Sequence, residues 1–273
     1  MRKLLGAFAL ILSAAPLWAA PLSDQMSAEA LAAMRAADVV FLGELHDNPA
    51  HHLIQAEALA AIAPKAVVWE MMTEATAARL TPEAVDSPER LERLTGWADS
   101  GWPLLADYMP VFRAARDARQ YGALIPREAL GQVIAAGAVA AFGAEAGRYG
   151  LDQPLPVTEQ AVREADQQAA HCGAMPADKL GLMVDIQRLR DAALARAALL
   201  ALIETGGPVV VITGDGHARR DRGAPLYLLR AAPETRVFAL GQAEAGRIDG
   251  VFDAVVDSPA VDRPDPCAGF TKP

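Results

Sequence analysis

Two short segments hold the residue types that can do chemistry. Gly43-Glu44-Leu45-His46 sets a carboxylate and an imidazole two residues apart, and Gly214-Asp215-Gly216-His217 ends on a second imidazole. If the chain is extended at the first segment, Glu44 and His46 point to the same side. Glu70 ends another apolar run and adds a second carboxylate. Two glutamates and two histidines from three strand ends can hold a divalent metal, or serve as a Glu–His general-base pair in a hydrolysis. Any one of them alone reads as a cap on a loop or helix; four reaching one edge argue for a site. Gly43, Gly214 and Gly216 fit that reading, because glycine lets the backbone turn sharply and approach a ligand.

Other residues are candidates of a second rank. His51 and His52 follow Pro49 in the first turns of a helix; one is expected to face the crevice and the other to be solvated. Met71 and Met72 can line an apolar pocket, with core packing the expected role of at least one. His171, beside Cys172, suits a helix-end cap. Asp215 can orient a histidine, bind a cation or simply form a turn. Trp97, Trp102 and Tyr108 crowd together in a chain of only 5% aromatic residues. Such a cluster suits a flat apolar ligand, a subunit interface or the core of a helical cap.

The elements that must position these residues are legible as alternating strands and helices. Val39-Val40-Phe41-Leu42 and Ala66-Val67-Val68-Trp69 are short apolar runs of the kind buried in a parallel sheet. Asp47-Asn48-Pro49 between them supplies an N-cap and a proline at the first helical position, and Pro64 closes the helix. A helical stretch over 73–121 is broken by Pro82, Pro88, Pro103 and Pro110, and Ala123-Leu124-Ile125 is expected as a third strand. Helices are expected over 128–146, 158–171 and 178–204, the last stopped by Gly206-Gly207. Strands follow at 208–213, 236–240 and 252–256, and the tail from Ser258 is rich in Pro and Asp. This alternation predicts an α/β fold, a mostly parallel β-sheet flanked by helices with a helical cap over one edge. Ligands of such sheets bind beyond the carboxyl ends of the strands, where both Gly-x-x-His segments and Glu70 fall.

At the scale of the chain, Arg2 and Lys3, the apolar run Leu4 to Leu12 and the small residues before Ala20 have the layout of a secretory signal peptide. The expectation is a signal peptide over 1–19, a single domain over 20–273 and a periplasmic product. The apolar run is too short for a membrane span, and no Cys near the cleavage site can carry a lipid. With 34 acidic against 25 basic residues and no basic stripe, nucleic acid is a poor partner. The two cysteines, Cys172 and Cys267, can pair outside the cytoplasm or remain as distant thiols.

Taken together, the motifs resemble those of a known family. Phe41-Leu42-Gly43-Glu44-Leu45-His46-Asp47-Asn48-Pro49-Ala50-His51-His52, Trp69-Glu70-Met71, Trp102 through Tyr108-x-Pro110, Pro126-Arg127-Glu128 and Gly214-Asp215-Gly216-His217 are similar to the ChaN family of haem-binding uptake proteins. The first motif is the specific one. The wider superfamily includes Tiki-type metalloproteases and is similar to erythromycin-esterase-like hydrolases. The resemblance implies haem binding in iron acquisition, with the iron held by a tyrosine and a histidine assisting, across a homodimer. Tyr108 is the best match for the tyrosine, and His46, His52 and His217 are the histidines offered to haem. The alternative it leaves open is a hydrolase using Glu44, His46, Glu70 and His217, with or without a divalent metal. Many members are lipoproteins, whereas this chain lacks a lipidation Cys; and Ile125-Pro126 stands where members often carry Asn close before the proline.

Overall fold

A computed structural model describes residues 20–269, so the expected signal peptide over 1–19 lies outside the described residues. Six strands form the sheet: β1 (Val39–Leu42), β2 (Ala66–Trp69), β3 (Arg119–Gly122), β4 (Val209–Ile212), β5 (Val237–Glu244) and β6 (Ala254–Ser258). Their order is β3-β2-β4-β1-β5-β6. Every pairing is parallel, so all the carboxyl ends lie along one edge. β1, β2 and β4 are buried on both faces, which is why their sequences are unbroken apolar runs.

The helices, in chain order, are α1 (Leu22–Gln25), α2 (Ala28–Ala36), α3 (Pro49–Ile62), α4 (Glu74–Ala77), α5 (Pro82–Val85) and α6 (Pro88–Thr95). α7 (Leu105–Ala114), α8 (Arg127–Phe142), α9 (Val157–Ala170), α10 (Ala177–Thr205), α11 (Asp215–Ala218) and α12 (Ala224–Ala231) complete the set. One apolar layer joins Val40, Leu42, Val67 and Trp69 to α3 and α7; the other joins Val39, Phe41, Val68 and Val211 to α10 and α12. The fold is the expected α/β sheet covered on both faces.

Three details differ from expectation. The third strand is Arg119–Gly122, and Ala123-Leu124-Ile125 is the loop that follows it. β3 is an edge strand paired on one side only, so it tolerates an exposed Arg119, while the apolar triplet lines a cavity of about 590 Å³ against α8 and α10. β5 runs on to Glu244, past the expected end at Leu240, because Gly241 to Glu244 pair with β6. Neither His51 nor His52 is solvated: both lie on the buried face of α3.

Candidate functional site

Beyond the strand ends, Glu44 follows β1, Glu70 follows β2, and Thr213 to His217 follow β4. α3 starts where β1 stops because Asn48 caps it, its side chain accepting from the N–H of Ala50, with Pro49 next. This short turn leaves Glu44 inside and His46 at the surface of the crevice.

Glu44 is the hub. Its Oε1 accepts from the Tyr108 hydroxyl at 2.6 Å and from His46 Nδ1 at 2.6 Å, while its Oε2 lies 3.6 Å from His52 Nε2. A carboxylate only accepts, so His46 carries its proton on Nδ1. His46 Nε2 then faces Glu70 Oε2 at 3.9 Å, beyond hydrogen-bond reach. The Trp102 ring packs at 4.8 Å from the imidazole and, half-buried, forms the rim.

A second pair mirrors the first. His217 Nδ1 donates to Asp191 Oδ1 on α10 at 2.7 Å, and its Nε2 faces Glu70 Oε1 at 3.7 Å. Glu70 is fixed between the two imidazoles by the Thr213 hydroxyl at 2.6 Å and the Gly214 N–H at 2.8 Å. The site is therefore two carboxylate-held imidazoles presenting Nε2 to one shared glutamate.

The electrostatics follow from this enclosure. Burial works against charge on His217, but Glu70 and Asp191 outweigh it and push its pKa up to about 9. Burial opposes charge on His46 as well; its hydrogen bond to Glu44 and the Glu44 and Glu70 charges prevail and raise it. Burial penalises the Glu70 carboxylate, yet the two histidines and its two donors hold it below the usual range. For Tyr108, burial and then the Glu44 charge push the phenol far above its ordinary value.

Of the expected site residues, Glu44, His46, Glu70 and His217 come together as one cluster. Tyr108 joins it from beneath: fully buried, its ring lies tilted against His52 with the centroids 3.9 Å apart, and its hydroxyl donates to Glu44. In this position Tyr108 forms the floor of the crevice, its hydroxyl held by Glu44. His52 lies in the same buried layer, where its Nδ1 donates to the Asp107 carbonyl at 3.1 Å. His51 accepts the Leu45 N–H at 2.9 Å, and burial takes its pKa down to about 4, so it stays neutral. Asp215 turns away from both histidines to accept the Gln242 N–H at 3.0 Å behind Gly43. Met71 and Met72 both lie in the core, as do Trp97 and Tyr108, leaving Trp102 as the aromatic that meets the crevice. His171 caps the end of α9 as expected.

Asp191 was not foreseen. Its signal was a carboxylate on the apolar face of α10, between buried Val184, Arg188, Ala195 and Ala198. Among the described residues, no group of three or more His, Cys, Asp or Glu is arranged to hold a metal ion.

An all-parallel α/β sheet thus gathers carboxylate-backed imidazoles beyond its strand ends, where such sheets take their ligands. The chain belongs to the family described as haem-binding uptake, Tiki superfamily, ChaN, which matches residues 30–228. Among solved structures it is similar to one described as cofacial heme binding to ChaN of Campylobacter jejuni, with a TM-score of 0.62 and 18% identity over 86% of this chain and 93% of that one. At that identity the likeness is one of fold. The structure of the type III effector HopBA1 is a looser match, with a TM-score of 0.48 and 14% identity over 84% of this chain and 91% of that one. No curated protein matches the chain.

Proposed function

We propose that this protein binds haem at the strand-end crevice and serves haem or iron uptake in the periplasm. Family membership supports the ligand. The observation that carries the site is His46: its Nδ1–H is held by Glu44, its Nε2 has no hydrogen-bond partner among the described residues, and its ring lies against Trp102. A histidine whose Nδ1 is bonded to a carboxylate is oriented and made more basic at Nε2, the arrangement that suits a ligand to haem iron. His46 would hold the iron and Trp102 would pack on the porphyrin; bound haem would supply the redox-active iron centre. Glu44, buried and fixed by Tyr108, keeps the imidazole in one tautomer. His217, cationic at neutral pH, offers an N–H to a carboxylate of the ligand.

His46 is partly exposed in one chain, and Leu104, two residues on from half-buried Trp102, is exposed. A homodimer in which a second copy covers these residues is the assembly we propose for the loaded protein. Export is supported by the N-terminal pattern and by the pairing of Cys172 with Cys267, which suits an oxidising compartment. Haemin titration of the mature protein, with His46→Ala alongside, tests the reading: the unmodified protein should show a saturable Soret change that the variant loses.

A second reading rests on the symmetry of the site. Two carboxylate-held imidazoles converging on Glu70 can take and return a proton during hydrolysis. Turnover of an ester or lactone panel, abolished by His217→Ala, would favour the hydrolase over the haem carrier.

A further inference from the structure

The C-terminal tail, residues 259–269, forms no strand or helix, yet it is tied down at two places that matter to the site. The first tie is Arg263. Its guanidinium donates to both oxygens of Asp47, at 2.6 and 2.7 Å, and to both oxygens of Glu244 on β5, at 2.5 and 2.8 Å. Asp47 is the residue after His46. Asn48 joins the same knot, its Nδ2 donating to Glu244 at 2.8 Å and to Ser258 Oγ and the Pro259 carbonyl at 3.2 Å each. The turn that presents His46 is thus gripped from β5, β6 and the tail together.

The second tie is the disulfide between Cys267 and Cys172. Cys172 lies at the tip of the hairpin formed by α9 and α10. α10 ends low on the sheet, where Lys65 just before β2 donates to the Thr205 carbonyl, and reaches the strand ends at Asp191. From Asp191 back to Ala177 the helix rises about 21 Å further, at about 1.5 Å per residue. The α9–α10 hairpin is therefore an arm that stands out past the site, and it carries the carboxylate that orients His217. From Arg263 to Cys267 the chain can span at most about 14 Å, and the two cysteine Cα atoms are 5.4 Å apart. The tip of the arm is held within about 20 Å of Arg263, the residue that grips the turn after His46.

We infer that the C-terminal tail is a strap that sets the spacing of the two imidazoles, with Arg263 as the positioning residue for the His46 turn and the Cys172–Cys267 bridge as its clasp. One end of the strap fixes His46 through Asp47; the other fixes the arm whose Asp191 holds His217. Glu70 sits between them, so a change in strap tension opens or closes the gap it spans. Arginine suits the post because its planar fork meets both oxygens of each of two carboxylates, a bidentate geometry that a lysine ammonium does not offer.

The test needs no bound ligand. Modification of His46 by diethyl pyrocarbonate is followed by peptide mass spectrometry at 25 °C, well below the melting temperature of each variant. The expected result is a several-fold faster reaction at His46 in Arg263→Ala and in the Cys172→Ser/Cys267→Ser double variant, with the His217 imidazole resonance shifted in both. Arg263→Lys, which keeps the charge but loses the fork, should give an intermediate rate and covers the case of an alanine variant that fails to fold. A melting temperature that falls while the His46 rate and the His217 resonance stay unchanged would overturn the inference, because the tail would then be a staple for stability alone.

Discussion

His217 shows how far a single side chain can be displaced from its ordinary chemistry by two neighbours. Buried between Asp191 and Glu70, it keeps its proton up to about pH 9. Its pKa is raised on folding, so the stabilisation is complete below about pH 6.5 and is lost as pH rises through about 9. Glu70, whose folded pKa is lowered, acts in the opposite direction, its contribution being lost as pH falls through the acid range. Melting temperature should therefore decline by several degrees between pH 7 and 10, and His217→Gln should flatten that decline. An Asp191→Asn variant should move the His217 titration, followed by NMR, back toward about pH 6.5. Tyr108→Phe is the companion case: it removes a donor from buried Glu44 and should cost about 1–3 kcal/mol in urea unfolding. Because the phenol lies beneath the crevice, the variant should leave the haem spectrum unaltered.

Elements set where these residues stand, and glycine sets how closely elements approach. At Gly122, where β3 ends, an added Cβ would fall 2.3 Å from the carbonyl oxygen of Thr73, an atom of the main chain that cannot swing aside. Gly122→Ala should cost about 1–3 kcal/mol or more. Gly131, in α8, has nothing within 4 Å of such an atom, and Gly131→Ala should stabilise by up to about 1 kcal/mol. Paired urea melts check both. The same contrast explains what the sequence showed. β1, β2 and β4 were legible because burial on both faces demands an apolar run, and α3 because its cap and proline are local. β3 was misplaced by a few residues because Arg-Gln-Tyr-Gly carries no such run, while the apolar triplet beside it packs elsewhere. Glu44, His46, Glu70 and His217 could be assembled from their strand-end positions. Asp191 and Arg263 could not, because they meet His217 and Asp47 across 26 and 216 residues of chain, a proximity that only the tertiary fold creates.

For the whole molecule, the disulfide joins residues 95 apart, linking a tail without secondary structure to the tip of a projecting arm. Closing a loop of that length restricts the unfolded chain by up to about 4–5 kcal/mol in the chain-entropy model. The Cys172→Ser/Cys267→Ser variant should melt several degrees lower, and thiol titration of the unreduced, denatured protein should find no free sulfhydryl. The central claim is that the strand-end cluster is a haem site with His46 at the iron. Its most direct measurement is a haemin titration, read by Soret absorbance, of the unmodified protein beside His46→Ala and Tyr108→Phe. Saturable binding that Tyr108→Phe retains and His46→Ala loses or changes spectrally is the predicted result. No saturable binding by the unmodified protein, or binding by His46→Ala with the same affinity and spectrum, would contradict it.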